Sequence, residues 1–188
     1  TLAELAGALD GGALTSTAGP RVSLTPVVPD DEVIALLVEA AADRTIQIAT
    51  ELPWNLDHDA ARRYAAEADG VVIRVDGRAA GAAFIQLHPN IGDGVEVPPG
   101  AVQLDEWLLA PYRDLGLLGA AGAWPLLRAW MAERFRHEVS VVWEDHTTMI
   151  TILRARGYRR LGRVWWRSAS DGDGTEGPCE VWLYDLRG

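Results

Sequence analysis

The segment Val71-Val72-Ile73-Arg74-Val75, then Asp76-Gly77, then Arg78 to Leu87 constrains the fold more than any other stretch of this chain. Two β-rich runs flank an Asp-Gly pair, which takes the positive φ of a tight hairpin turn at low cost. The chain therefore holds an antiparallel sheet, and that sheet needs a cover. Helix signals supply it. Asp30 and Asp31 precede a helix to about Ala42, with Val33, Leu36, Leu37 and Ala40 on its buried face. Asp57 or Asp59 starts a second helix reaching about Ala68, after a loop at Leu52-Pro53-Trp54-Asn55-Leu56. A third is predicted over 115–135, and a fourth runs to Arg156, where Gly157 closes it. Alternation and β-branched residues predict further strands at 21–28, 102–109, 138–143, 160–168 and 179–186. The resulting order β, α, α, β, β, β, α, β, α, β, β is that of an α/β layer fold.

The segment 1–20 stands apart from this core domain at 21–188. Leu2, Leu5 and Leu9 share one face of a short helix that Gly11-Gly12 stops. It reads as a loosely docked arm or a contact with a second subunit, so a homodimer is one expected assembly. A chain of 188 residues buries enough surface, roughly 70% of that exposed when unfolded, to fold without a metal or a disulfide. Its single cysteine, Cys179, forms no intrachain bridge, and no apolar run reaches membrane-spanning length, which predicts a cytoplasmic protein without a membrane partner. All 17 basic residues are Arg, which excludes a lysine nucleophile or a P-loop lysine. A net charge of −10 argues against nucleic acid as a partner. No His–His or His–Cys spacing suggests a metal site.

Chemistry concentrates in Leu108-Leu109-Ala110-Pro111-Tyr112-Arg113-Asp114-Leu115-Gly116-Leu117-Leu118-Gly119-Ala120. A strand runs into a Pro turn, an Arg and two glycines, and then a helix. Such a helix start presents unpaired backbone N–H groups and a positive dipole end, which together hold a phosphate. Gly116 lets the backbone approach, and Arg113 adds a charge-assisted contact. With the strand, helix, Gly157-Tyr158 and two strands that follow, this segment resembles the GNAT superfamily of acyl-CoA N-acyltransferases. Leu109-Ala110-Pro111 is similar to the ending of the family's fourth strand. Arg113 to Leu118 is similar to its pyrophosphate loop, and Leu153 to Arg159 to its late helix ending in Gly-Phe.

That resemblance implies a mixed, mostly antiparallel central sheet with helices on both faces and splayed fourth and fifth strands. It implies transfer of an acetyl or related acyl group from acetyl-CoA to an amine by direct attack. The net charge of −10 favours a small, cationic primary amine as the acceptor. The pantetheine would pair with the backbone of Leu108, Leu109 and Ala110. The pyrophosphate would sit on Arg113, Asp114, Leu115, Gly116, Leu117, Leu118 and Gly119. Three positions depart from the family pattern. Leu118 stands where a second Gly or Ala is usual, with Gly119 adjacent. Leu153 stands where a Tyr often protonates the leaving thiolate. His146 falls where an Asn often contacts pantetheine, while Asp145 beside it is able to cap the helix. These departures keep a second reading open, a catalytically inactive module that binds an acyl-CoA or another ligand.

Strand alternation then sorts the candidate bases. Val102, Leu104, Glu106 and Leu108 share one face of their strand, and Gln103, Asp105, Trp107 and Leu109 share the other. Asp105 and Glu106 are the two candidate catalytic carboxylates. Leu104-Asp105-Glu106-Trp107 also resembles the acid-bearing strand of aminoglycoside acetyltransferases, which implies acceptor binding by Asp105 and Trp107. Trp54 flanks the acceptor cleft by the same analogy.

Overall fold

A computed structural model of the chain describes residues 14–15, 20–113, 116–119, 122–167 and 176–187. The predicted helix over residues 2–9 and most of the loop 168–178 lie outside them. The chain divides into two compact units, residues 1–85 with 105–131 and residues 86–104 with 132–188.

In the first unit, β1 (Leu14–Thr15), β2 (Val22–Pro26), β3 (Gly70–Val75) and β4 (Arg78–Gln86) form consecutive antiparallel pairs, and β4 neighbours β5 (Val102–Leu108). The hairpin turns as expected: Asp76 and Gly77 have φ of 50° and 83°, the left-handed pair of a type I′ turn. Asp76 also accepts a hydrogen bond from the Arg21 backbone at 3.0 Å, fastening β2 to the turn. Helix α1 (Asp31–Ala42) is capped by Asp30, which accepts from the Val33 N–H, and α3 (His58–Glu67) by Asp57, which accepts from the Ala60 N–H. Each cap satisfies a donor that a helix start leaves open. Val33, Leu36, Leu37 and Ala40 face the core as predicted, packed with Ala61, Ala65, Val72, Phe84, Trp107 and Leu109. Arg74 of β3 forks onto both oxygens of Glu32 at 3.0 and 2.8 Å and donates to Thr25 of β2, tying helix to sheet.

Between α1 and α3 lies a short helix that periodicity does not reveal, α2 (Arg44–Gln47). A second follows β5, α4 (Ala110–Arg113), with Pro111 near its start, where a missing N–H costs nothing. The third long helix is shorter than the prediction over 115–135. Helix α5 (Ala123–Ala132) begins only after turns at Gly116–Gly119. The reason is Pro125. A helix running from residue 115 would hold Pro125 in its interior, where the ring clashes and a hydrogen bond is lost, whereas a start at Ala123 puts it in the first turn.

The second unit holds β6 (His137–Trp143), α6 (Thr147–Ala155), β7 (Arg159–Arg167) and β8 (Glu176–Asp185), with strand order β5-β6-β8-β7. The β6–β8 and β7–β8 pairs are antiparallel. The β5–β6 pair is parallel, with register at Val102↔Glu138 and Gln103↔Val139, the first two residues of β5. Gly157, at φ 87°, ends α6 with paired bonds from Gly157 N–H to Arg154 O and from Tyr158 N–H to Leu153 O, a Schellman closure. Val139, Val164, Cys179, Val181 and Leu183 form the centre of this unit's core. The loop 88–100 is fastened to β7 by Trp166 Nε1 donating to Asn90 O at 2.7 Å and Asn90 Nδ2 donating to Arg167 O at 2.8 Å. The sheet is mixed and mostly antiparallel, as the family resemblance implied.

Candidate functional site

The exit of β5 is held by three hydrogen bonds. Leu109 N–H donates to Ala80 O of β4 at 2.9 Å, and Tyr112 N–H to Leu109 O at 2.9 Å. Arg113 Nε donates to Leu108 O at 2.8 Å, and its Nη2 pairs with Asp43 at the α1–α2 corner. Of the three strand residues expected to carry a cofactor, Leu109 thus has its N–H committed to the sheet, and Leu108 its carbonyl to Arg113. Burial acts to raise the Asp43 pKa, but hydrogen bonds from Arg113 and the Thr45 amide outweigh it and hold the carboxyl below its usual range.

The glycine turn follows. Asp114 and Leu115 lie outside the described residues. Gly116 has φ 65° and accepts from Gly119 N–H at 2.8 Å, Gly119 O accepts from Gly122 N–H at 3.0 Å, and Leu117 O accepts from Ala123 N–H. Leu117 is buried, while Leu118 is half-buried in mid-turn, so the absence of a glycine at Leu118 costs no backbone strain. A Cβ on Gly122 would stand 1.9 Å from the Leu117 carbonyl oxygen, which makes Gly122 an obligatory glycine that sequence spacing did not single out.

Asp105 sits on the α1–α3 side of β5, the face shared with Trp107 and Leu109, as alternation predicted. It is 7% exposed and accepts a hydrogen bond from Glu51 N–H at 3.2 Å. Tyr64 of α3 stacks edge-on to Phe84 at 5.2 Å, and Phe84 lies 6.5 Å from the Trp107 ring. Burial first, then the charge of Asp105, pushes the Tyr64 phenol upward, so it remains protonated. The indole N–H groups of Trp54 and Trp107 are buried without a hydrogen-bond partner. Glu106 lies on the other face of β5 and is half-buried. Sequence reasoning singled out Asp105, Trp107 and Trp54 but not Tyr64, nor the Glu51 N–H as the partner of Asp105. The signal for Tyr64 was present, since it is the one aromatic residue on α3. Loop 51–56 owes its form to local bonds: Leu52 N–H to Thr50 Oγ1, Thr50 Oγ1 to Ile46 O, and Asn55 N–H to Ala41 O.

The remaining predicted residues belong to the second unit. His146, not Asp145, caps α6: its Nδ1 accepts from Met149 N–H at 3.2 Å. Leu153 is 3% exposed and packs in the interior. Cys179 is buried, and burial, then the charges of Glu144 and Asp145, pushes its thiol up to about 12. It packs as a small apolar side chain. Among the described residues no cluster of three His, Cys, Asp or Glu is placed to hold a metal, and no helix is long and apolar enough to cross a membrane.

No family model and no curated protein matches the chain. Solved structures do. A GNAT-family acetyltransferase from Bacillus anthracis is 9% identical with a TM-score of 0.64, covering 93% of this chain and 100% of that one. The ribosomal alpha-N-protein acetyltransferase RimL, in complex with coenzyme A, is 14% identical with a TM-score of 0.64, over 93% and 99%. Mycobacterium smegmatis RimJ, in complex with a CoA-disulfide, is 18% identical with a TM-score of 0.62, over 92% and 86%. The chain has the GNAT fold. Within a GNAT fold its departures now have physical form. Leu118 lies in the turn without a positive φ, and Leu153 is a core residue with no phenol to offer.

Proposed function

We propose that this chain transfers the acetyl group of acetyl-CoA to a primary amine of a small cationic molecule. The observation that carries the proposal is Asp105, a buried carboxylate among Tyr64, Phe84 and Trp107, three residues upstream of the strand exit at Leu108 on the same β5. A carboxylate held at 7% exposure beside the strand exit is of the type that serves as a general base or amine anchor, because proton transfer needs an acid group fixed in place. The acetyl-CoA site of this proposal is the main chain of Leu108 and Ala110 and the turn Gly116–Gly119. The GNAT fold and the CoA complexes of RimL and RimJ support the cofactor class.

The neutral amine attacks the thioester carbonyl carbon; the C–N bond forms, the C–S bond breaks, and the amine proton passes to Asp105. With Leu153 at the family's tyrosine position, the thiolate takes its proton from water and leaves as CoA thiol. Asp105 is the base and amine anchor, Glu106 the alternative base, and Trp54 and Trp107 form the acceptor wall. Calorimetric titration with acetyl-CoA is expected to show binding, and a thiol-release screen over polyamines, aminoglycosides, amino acids and peptide amines is expected to show turnover. Absence of binding at high micromolar acetyl-CoA would remove the proposal. Binding without release across the panel would favour the inactive module that Leu153 motivates, and peptide amines as the preferred acceptors would replace a small molecule with a protein N-terminus.

The turn makes its own prediction. Gly122→Ala forces the Leu117 carbonyl aside, and overpacking of this kind costs on the order of 1–3 kcal/mol. Acetyl-CoA affinity is expected to fall about tenfold for each 1.4 kcal/mol of that distortion borne by the bound turn. Titration of the folded variant measures it, and an unchanged affinity would take the turn out of the cofactor site.

A further inference from the structure

We propose that Arg113 is a positioning residue, which fixes the strand exit on which the proposed acyl-CoA site rests, rather than a phosphate ligand. The inference rests on that cofactor reading and concerns one peptide unit. The Leu108–Leu109 peptide is trans, so its N–H and C=O point in opposite directions. The N–H is held by Ala80 O at 2.9 Å and the C=O by Arg113 Nε at 2.8 Å. Both ends of the plane are therefore pinned, at the point where β5 stops and α4 begins. Without Arg113 the carbonyl end has no such anchor, and the edge of β5 facing away from β4 loses its fixed geometry.

Arg113 is itself held. Its Nη2 pairs with Asp43, seventy residues earlier in sequence, with the two side chains 27% and 22% exposed. Asp43 is a rigid partner, because it closes α1 through its N–H to Ala40 O and opens α2 through its side chain to Thr45 N–H and its carbonyl to Ile46 and Gln47 N–H. A guanidinium is planar and forked, so fixing Nε and Nη2 on two separate acceptors fixes the whole group. A partly buried pair of this kind is less screened than a surface pair. The device links the α1–α2 corner, which precedes the acceptor loop at 51–56, to the cofactor-binding end of β5.

The two roles make opposite predictions for Asp43→Asn. If Arg113 grips pyrophosphate, removing the carboxylate frees the guanidinium and deletes a nearby negative charge, so acetyl-CoA binds as well or better. If Arg113 positions the strand, Asp43→Asn weakens binding about tenfold, the scale of a lost charge-assisted hydrogen bond. Arg113→Met should then do the same, and the double variant should be no worse than Arg113→Met alone. Arg113→Lys should fail to rescue, since an ammonium cannot hold both acceptors. Acetyl-pantetheine, which lacks the phosphates, should lose the same factor in kcat/KM as acetyl-CoA in each variant.

A loss confined to acetyl-CoA, or tighter binding by Asp43→Asn, would overturn the positioning role and return Arg113 to the phosphate. Amide hydrogen exchange over residues 108–113 provides a measurement independent of any cofactor, expected to quicken about tenfold in both single variants. Wild-type protein that binds no acetyl-CoA would end the cofactor reading. In that event unchanged exchange overturns the positioning role, and quickened exchange leaves Arg113 as the anchor of the β5 exit.

Discussion

Asp105→Asn is expected to lower kcat for acetyl transfer by about a hundredfold or more, the lower end of what a positioned general base contributes. The substitution isolates the charge. Asparagine matches aspartate in shape and keeps an oxygen for the Glu51 N–H, which Asp105 now accepts at 3.2 Å. The neighbouring rings of Tyr64, Phe84 and Trp107 keep their packing. Folding should therefore be preserved, and thermal melting checks it. What changes is that no group on this face of β5 takes the amine proton, and no charge holds a cationic acceptor. KM for the amine should rise with the fall in kcat, while the affinity for acetyl-CoA stays as it was. Glu106→Gln is the companion measurement. Glu106 lies on the opposite face of β5, and its removal is expected to leave kcat within about threefold, well below a base's contribution. A reversal of the two results assigns the base to Glu106 and leaves Asp105 as a buried structural acid.

The global charge sharpens this expectation. At −10 the protein's field opposes a polyanionic cofactor, so the proposed acetyl-CoA site rests on local groups, the main chain of Leu108 and Ala110 and the amides of the glycine turn. The same field favours a cationic acceptor. Raising ionic strength is therefore expected to weaken the amine's KM while leaving acetyl-CoA binding unchanged or slightly improved.

What was legible in the sequence is what local chemistry decides. Asp30 and Asp57 cap the helices they precede, Asp76-Gly77 turns its hairpin, and Gly157 closes α6, because each residue satisfies a need within four positions of itself. The face of Asp105 was readable because strand alternation has a fixed period of two. The misreadings arise where a distant group or a competing local rule decides. Helix α5 was expected to start at 115, but Pro125 moves the start to Ala123. Helices α2 and α4 have four residues each, too few to show a period. Asp145 was the open alternative for capping α6, yet the backbone at His146 brings the imidazole onto the Met149 N–H. The partnership of Arg113 with Asp43 and of Glu51 with Asp105 joins residues more than fifty positions apart, and no local pattern records it.

Gly81→Ala is expected to be the most disruptive single-methyl change in the sheet. A Cβ at Gly81 would stand 2.1 Å from the Trp107 carbonyl oxygen and 2.9 Å from Leu108 Cα, both backbone atoms of β5. Neither atom is able to rotate out of the way, so β4 and β5 have to separate at the strand exit, where Leu109 N–H is bonded to Ala80 O. Overpacking against backbone sits at the upper end of the usual range, roughly 3 kcal/mol. For a chain of about this size that corresponds to a fall in Tm of roughly 6–12 °C. Two other glycines separate the causes. Gly77 has φ 83° with nothing within 4 Å, so Gly77→Ala meets only backbone strain, about 1–2 kcal/mol. Gly162 would bring a Cβ within 2.7 Å of Val95 Cγ2, but that atom ends a side chain in a loop and moves away at small cost. The expected order of destabilisation is therefore Gly81, then Gly77, then Gly162, although Gly162 has a closer contact than Gly77. Calorimetric melting of the three alanine variants measures it. A Gly81→Ala protein as stable as wild type would mean that β4 and β5 do not approach this closely at Trp107. In that case the peptide plane between Leu108 and Leu109 would not be pinned from the β4 side.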